Sequence, residues 1–571
     1  MTLVRELSEA GLRRGTPLAL VLAPGRGFAL AWLDATRSIA TDEPIQAIAE
    51  ICTLDPRWTW WSARETAAPL VAAGVQPRSC WDLGAVGRLA DGLRRDDPAA
   101  VWAASGGLPE PPPVRPGLDL LDLAGEHGEP VRRDGQLSRD WLHGRATESL
   151  AAAVEWAVLA LRTQVAQERL LRTLPDPRPA PRQPPLAVLT AFSESAAAVL
   201  CVELEQHGLP LDRAEATALL TAMIGPRPSD AAQEVARRAQ RDDRVLAAFP
   251  GLPVDLRNPA QVRVLLARTG LDLPDTRSWR LEPHAGTSPG VTELLAWRKA
   301  ERIATTYGWD WLDRNVGADG RLRGAWGSAD AAAGRMTAQA GLHNLPGDLR
   351  GAVLAEPGRV LVRADLGQVE PRVLAAVSGD PGLARAARED DMYAPVAASL
   401  GCDRPTAKVA VLAAMYGQTS GTAGAALRDM DRAYPRAMAY LRAAEESGRT
   451  GQDLRTYGGR LIRLSRAPEA EGEPESPGHG RYARNAVVQG AAAELFKAWA
   501  GTVRAELPAL DGEIVLCLHD ELLVQVPEAA ADRAVALLDS ALQETAHWWA
   551  AGSPVRFVAE VGVGDSWLTA H

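Results

Sequence analysis

The chain has 571 residues, 46% hydrophobic and 23% charged, a length for about two to four domains and a composition that excludes wholesale disorder. Its formal net charge of −10 gives nucleic acid no overall attraction, although phosphate binding needs only a local basic strip. No stretch reaches about 18 uninterrupted apolar residues, the N-terminus lacks an apolar signal segment, and the five cysteines lack CxxC spacing, so neither a membrane span, a secretory signal, a zinc ribbon nor a disulfide framework is expected, and a reducing cytoplasm is the expected location.

Residues 1–106 alternate short apolar runs, such as PLALVLAP and GFALAWLD, with alanine-rich stretches, which predicts an α/β unit. Proline-rich breaks follow at 107–117 and 174–185; the second reads as a stiff linker and places a domain boundary near 184, with neither side of it basic. From 186 to about 310 long amphipathic runs predict helices. Residues 358–378 read as a strand ending VLVRAD and a helix that stops before Gly379, and helices recur over 383–449. Residues 467–480, acidic and rich in proline and glycine, read as a surface loop. Residues 513–527, EIVLCLHDELLVQVP, read as a β-hairpin with a two-residue turn.

Asp365 closes the VLVRA run, and Glu370 lies five residues on, inside the following helix. The hairpin tip is His519-Asp520, with Glu521 next. Alone, that tip also fits a solvent-exposed turn, where aspartate is common. If the two strands are neighbours in one sheet, Asp365 and Asp520 form a carboxylate pair suited to hard divalent cations. Two magnesium ions about 3.5–4 Å apart can hold the attacking and leaving oxygens of a phosphoryl transfer. Asp403 is a fair N-cap, and Pro405 sits in the first turn of a helix on which Arg404, Lys408, Leu412 and Tyr416, spaced by four, share a face. A cationic head and an aromatic foot suit a triphosphate and a base; a solvated basic turn above a buried tyrosine is the plainer alternative.

Only three of the 62 basic residues are lysine: Lys299, Lys408 and Lys497. Such usage fits a coding bias that converts any lysine arginine can replace, so each survivor is a candidate for a task needing a compact charge or a titratable amine. Chance survival is the alternative for Lys299 and Lys497.

The ordered segments DLGQVEPR, RPTAKVAVLAAMYG and HDE resemble motifs A, B and C of the bacterial DNA polymerase I family, family A. AGRMTAQAGLHNLP (333–346) resembles that family's primer–template segment, RTYGGR (455–460) its fingers, and RYARNAVVQGAAAELFK (481–497) its template-side helix. NPAQVRVLLARTGLDLP and LLAWRKAERIATTY resemble its thumb and palm-entry segments, so the resemblance covers about residues 186–571. Residues 1–183 resemble, more distantly, its 3′–5′ exonuclease-like domain, with no room left for a separate 5′-nuclease domain.

The resemblance implies an α/β plus α+β multidomain fold: an exonuclease-like α/β domain over 1–183, then a right-hand polymerase over 184–571. Its helical thumb would span about 186–310, its antiparallel-sheet palm about 311–382 and 500–571, and its helical fingers about 383–499. The implied activity is template-directed DNA synthesis by a monomer, in repair or replication, on primer–template DNA and deoxynucleoside triphosphates, with two Mg2+ ions for which Mn2+ can substitute. Asp365 and Asp520 match the metal-binding carboxylates, Leu366 a backbone-carbonyl ligand, and Glu521 an auxiliary acid. Glu370 matches the residue that excludes a 2′-hydroxyl. Arg404 and Lys408 match the triphosphate ligands, Lys408 as proton donor to pyrophosphate, a role that suits an amine better than a guanidinium. Tyr416 matches the aromatic at the base of the nucleotide helix. Arg335, Asn344, Arg481, Asn485 and Gln489 match residues holding duplex DNA, and His519 a histidine near the primer terminus.

Departures from the family pattern are Leu412 and Leu366 for aromatics, Tyr393 for a histidine at the incoming phosphates, His343 for a glutamine at the primer, and Pro371 for an aliphatic residue. In the N-terminal region the first strand carries no acid, and Glu65-Thr66 stand where an aspartate is expected. Without acids that domain cannot hold metal, so an inactive scaffold is expected. The rival expectations are a polymerase-fold DNA-binding protein with little activity, a polymerase retaining exonuclease activity, and a related RNA polymerase or reverse transcriptase.

Overall fold

Strand β1 (Pro17–Ala23) sends alternate side chains to opposite faces, and both faces are covered. Leu18 and Leu20 join Phe28, Trp58, Trp60 and Leu70 in one apolar cluster, while Ala19 and Val21 join Trp81, Leu89, Ala157 and Ala160 in another. This computed structural model describes residues 2–113, 128–249, 254–330, 333–417, 423–464 and 477–570. With β2 (Gly27–Trp32), β3 (Ala35–Ala40), β4 (Arg57–Trp60) and β5 (Ser79–Asp82), β1 forms a five-stranded sheet of order β3-β2-β1-β4-β5. β1 is antiparallel to β2 and parallel to β4, and β4 is parallel to β5. Helix α1 (Leu150–Thr173) packs against β1 and β2.

Helix α2 (Leu186–His207) starts just beyond the predicted boundary and is buried on every side. Val188 and Ala191 enter one N-terminal cluster, Val199 and Val202 the other, and Leu200, Cys201 and Leu204 the main core of the rest of the chain. That role explains why α2 is long and apolar enough to cross a membrane while lying inside the protein. Next come α3 (Arg213–Ile224), α4 (Ala231–Ala247) and α5 (Pro289–Thr306). α4 and α5 share a separate small core around Val245, Phe249, Leu266 and Leu294. The run that reads as one helix through 291–312 breaks at Gly308, where a Cβ would lie 2.5 Å from the Ala304 carbonyl oxygen; α6 (Trp309–Asn315) starts there.

The second sheet is all antiparallel: β6 (Arg359–Leu366) lies between β8 (Glu521–Pro527) and β9 (Ala559–Gly564), with β7 (Glu513–Leu518) outside β8. The predicted hairpin is β7–β8, with Leu518 opposite Glu521 across the turn. After β6 the chain forms α7 (Val369–Ser378), α8 (Tyr393–Leu400) and α9 (Arg404–Tyr416), and later the 30-residue α10 (Pro477–Glu506) and α11 (Ala531–Trp549). Of the loop predicted at 467–480, residues 467–476 lie outside the described residues, as do 114–117 of the first proline-rich break. Residues 477–480 correct the expectation: they are the first turn of α10, a position where proline at the start does no harm.

Candidate active site

Register places the carboxylates together. Asp365, next to last in β6, stands opposite Glu521, the first residue of β8, and the Leu366 N–H donates to the Asp520 carbonyl at 2.9 Å. His519 takes a left-handed backbone, φ 39°, to close the two-residue turn. Across the sheet Glu560 on β9 pairs with Asp365. Burial and the neighbouring charges of Asp365 and Glu521 push Asp520 up to about 6. Asp365 is also raised, by burial first and by the Glu521 and Glu560 charges, against the lowering effect of Arg363. An oxygen-only set whose charges crowd one another fits a hard cation.

Arg363 is a residue that the motifs did not single out. It lies two positions before Asp365, hence on the same strand face, and donates to Asp365 at 2.9 Å and to Glu521 at 3.0 Å. The Trp567 indole N–H holds the other Glu521 oxygen at 2.6 Å. Glu521 is thus anchored by an arginine and an indole, leaving Asp365 and Asp520 as the less committed pair. Among the described residues, no three His, Cys, Asp or Glu side chains stand close enough to cage an ion by themselves. The set implied by the resemblance needs only these two carboxylates and the Leu366 carbonyl.

Glu370, in the first turn of α7, ties three elements together. One carboxylate oxygen accepts from Arg335 at 2.5 Å and the other from the Tyr416 hydroxyl at 3.1 Å. Gln489 of α10 donates toward the same hydroxyl. On α9, Asp403 caps the helix by accepting the Thr406 N–H, Ala407, Ala410 and Ala414 are buried, Leu412 and Tyr416 are half-buried, and Arg404 and Lys408 are exposed. Pro371 lies in the first turn of α7, buried, where its missing N–H costs no hydrogen bond.

Arg404 is engaged: its guanidinium binds Asp391 at 2.6 and 3.2 Å and lies over the ring of the buried Tyr393. Asp391 also accepts from Gln368, so this acid links the loop after β6 to the head of α9. Lys408 makes no hydrogen bond or ion pair among the described residues. Lys497 is different: fully buried, it donates to both Glu194 oxygens at 2.8 and 3.0 Å, and Lys299 pairs with Asp348 on the surface. Both therefore have structural work. Arg372, fully buried, donates to the carbonyls of Gly367, Ala387, Arg556, Glu389 and Asp390, which pins the loop after β6; it closes the DLGQVEPR segment, but no local period gives it this role.

The residues matched to DNA binding surround this centre. Arg481, Asn485 and Gln489 recur every four residues along one face of α10. Arg481 lies over Gly417, whose φ of 66° ends α9 in a left-handed turn. The Asn485 side-chain amide oxygen, Oδ1, is buried without a partner among the described residues. His343 lies between Trp326, which it meets edge to face, and His519, which it meets at a tilt, ring centroids 5.4 and 5.2 Å away, and burial and His519 push it down to about 4, so it is neutral at pH 7. Asn344 keeps its side chain exposed while its carbonyl accepts from the Tyr307 hydroxyl at 2.7 Å.

Residues 231–569 match the sequence profile of DNA polymerase family A. The chain belongs to DNA polymerase family A. It is 30% identical over 378 residues to the thermostable DNA polymerase I of Thermus filiformis, a match covering 59% of this chain and 44% of that one. DNA polymerase I of Deinococcus radiodurans is 26% identical over 363 residues, covering 56% and 37%. The chain spans less than half the length of these curated relatives. The POL domain of Pol1 from M. smegmatis, solved in complex with DNA primer-template and dNTP, shares the fold, with TM-score 0.64 and 20% identity over 100% of this chain and 98% of that one.

In this family A chain the matched residues contain the whole carboxylate site, α9 and α10, and the N-terminal sheet lies outside them. In that sheet the buried acid at the end of β5, Asp82, is consumed locally: it accepts the Ala63 and Ala85 N–H groups, and burial pushes it up to about 6.

Proposed function

We propose that the chain is a template-directed DNA polymerase that joins a deoxynucleotide to a primer 3′-hydroxyl and releases pyrophosphate. The observation that carries this reading is the joining of a carboxylate pair, Asp365 and Asp520, to the Glu370–Arg335–Tyr416 bridge at the foot of a helix headed by Arg404 and Lys408. In it, residues about 186–310 serve as thumb, 311–382 with 500–571 as palm, 383–499 as fingers, and 1–183 as an exonuclease-like scaffold without activity.

Asp365, Asp520 and the Leu366 carbonyl would hold two Mg2+ ions, with Mn2+ able to replace them, and these ions would activate the attacking hydroxyl and neutralise the leaving phosphates. The chain's own contribution is positioning and proton control. Arg404 and Lys408 bind the triphosphate; Lys408, unpaired among the described residues, is free to give its Nζ proton to the leaving oxygen. Tyr416, held by Glu370 and Gln489, supports the base. Arg335, Asn344, Arg481 and Asn485 hold the duplex without reading its sequence, and His343 and His519 flank the primer side.

Primer extension by the full chain with Mg2+ and dNTPs tests the reading, and DNA binding without extension would favour an inert DNA-binding protein. The same assay without nucleotides should show no shortening of a labelled single strand; metal-dependent shortening that survives Asp365→Ala would show an active nuclease in the first 183 residues.

The bridge at Glu370 yields a second expectation. Its carboxylate is fixed by Arg335 and Tyr416, so it cannot swing away from a 2′-hydroxyl. Glu370→Ala should raise ribonucleotide use relative to deoxynucleotide use by tenfold or more, roughly 1.4 kcal/mol of lost discrimination. An unchanged ratio in competition assays would remove Glu370 from this role.

A further inference from the structure

The N-terminal sheet ends in an open edge. β3 pairs with β2 alone, and among the described residues no other backbone group bonds its outer side. Such an edge offers a row of free N–H and C=O groups to an added strand. Helix α1 packs over β1, β2 and β3, and between the helix and the β2–β3 hairpin runs a groove of about 480 Å³. Leu33 and Ala35 form its hairpin side; Val158, Leu161 and Val165 form its helix side. Leu33 is 66% exposed and Val165 51%, so apolar surface lies in water here. Leu33 is also strained. It is the first residue of the two-residue turn between β2 and β3, with φ 48°, a position where glycine is usual and an exposed leucine gains nothing from burial. Two cations flank the apolar strip. Arg162 and Arg169 are both exposed, and neither makes an ion pair or hydrogen bond among the described residues. Asp34, at the hairpin tip, is the one acid among the described lining residues.

Register gives this surface an order. Thr36 and Ser38 stand opposite Ala31 and Ala29, which belong to the cluster under α1, so Thr36 and Ser38 face α1, as does every second side chain of a strand added beside them. Arg162 and Arg169 lie two helical turns apart, about 10 Å, with Val165 between them. Acid, apolar and acid at alternate positions of an extended chain span about 13 Å, within reach of both flexible guanidinium groups. We propose that this edge docks a partner protein, which adds an extended segment as a sixth strand. Its alternate acidic and apolar side chains turn toward Arg162, Val165 and Arg169. Backbone hydrogen bonds hold the segment, and the helix face selects it. The apolar strip and Asp34 suit such a segment better than a nucleic-acid backbone, whose affinity comes from cations alone. The role needs no catalytic acid in the N-terminal sheet.

The probe is the fluorescein-labelled peptide TETVTETVT, followed by fluorescence polarisation with the full chain. Saturable binding of one peptide per chain is expected, weakening as salt rises. Lysine in place of both glutamates, or the rearranged peptide TTEEVTVTT, should bind at least tenfold more weakly. N-methylation of alternate residues should abolish binding for one of the two possible sets and spare the other, since only one edge of an added strand faces β3. The double variant Arg162→Glu/Arg169→Glu and the variant Val165→Asp should each weaken the peptide at least tenfold. Arg432→Glu, on an exposed helix outside the groove, should leave it unchanged. Leu33→Gly should weaken the peptide without lowering the melting temperature, a combination that a purely structural leucine would not give. The proposal fails if the peptide shows no binding up to about 1 mM, if both methylated sets bind as the parent peptide does, or if the lysine and rearranged peptides bind equally well. It also fails if a single-stranded oligonucleotide displaces the peptide and the arginine variant loses DNA to the same extent, since the face would then serve DNA. A self-associating chain that Val165→Asp turns into a monomer would assign the face to a second copy and overturn the proposal as well.

Discussion

Asp365→Ala and Asp520→Ala should each lower primer extension by about a hundredfold or more, at least ~2.7 kcal/mol of transition-state stabilisation, while primer–template affinity changes little. The acids meet at the end of β6 and the β7–β8 turn, and neither is among the residues proposed to hold the duplex. A variant that kept more than a few per cent of the parent rate would remove the carboxylate pair from the chemistry. The crowding also gives a readout without turnover. Asp520 is raised to about 6, by burial first and then by the Asp365 and Glu521 charges. A carboxyl raised in the folded state contributes stability below its unfolded pKa of about 3.8, and loses it as pH rises through about 6. In metal-free buffer Asp520→Asn should therefore melt higher than the parent at pH 8 and gain little at pH 4. Mg2+ should raise the parent's melting temperature at pH 8 and raise the variant's less. Equal Mg2+ shifts in both proteins would show that Asp520 does not hold the ion.

Lys408→Arg should keep nucleotide binding near the parent value and cut the maximal single-turnover rate by about 10²–10⁴-fold, the usual contribution of a proton donor. Arginine retains the charge but does not release a proton near neutral pH. Lys408 lies one helical turn beyond Arg404 and, among the described residues, no carboxylate holds it, whereas Arg404 is bound by Asp391. Arg404→Lys should accordingly act mainly on nucleotide affinity, since a bidentate contact is lost and no proton is at stake. Small and equal effects of both swaps on the maximal rate would leave Lys408 a plain phosphate ligand.

The residues that were legible from the sequence share one property: their placement follows from a local period. Asp365 closes an apolar strand, His519-Asp520 fills a two-residue hairpin, and Arg404, Lys408, Leu412 and Tyr416 recur every four residues behind an Asp403 cap. Such patterns are set by backbone geometry within a few residues. Arg363 was half legible, since period two puts it on the Asp365 face, but its grip on Glu521 needs the register of β6 against β8. The lysine count singled out Lys408 and also Lys497, which proves to be a buried partner of Glu194 more than 300 positions away in sequence.

By itself, then, the sequence determined the α/β start, the helical middle, the hairpin and the order of the three motifs, because strand and helix periods and caps are local. Tertiary structure alone decided which carboxylates meet, that Glu370 is clamped by Arg335 and Tyr416, and that Asp391 occupies Arg404. It also decided that α2 is shared by the N-terminal clusters and the main core, and that Arg372 is spent on five carbonyls. The physical reason is the same throughout. A charged or apolar side chain acquires its role from the partners that long-range packing brings to it, and no period along the chain encodes which partners those are.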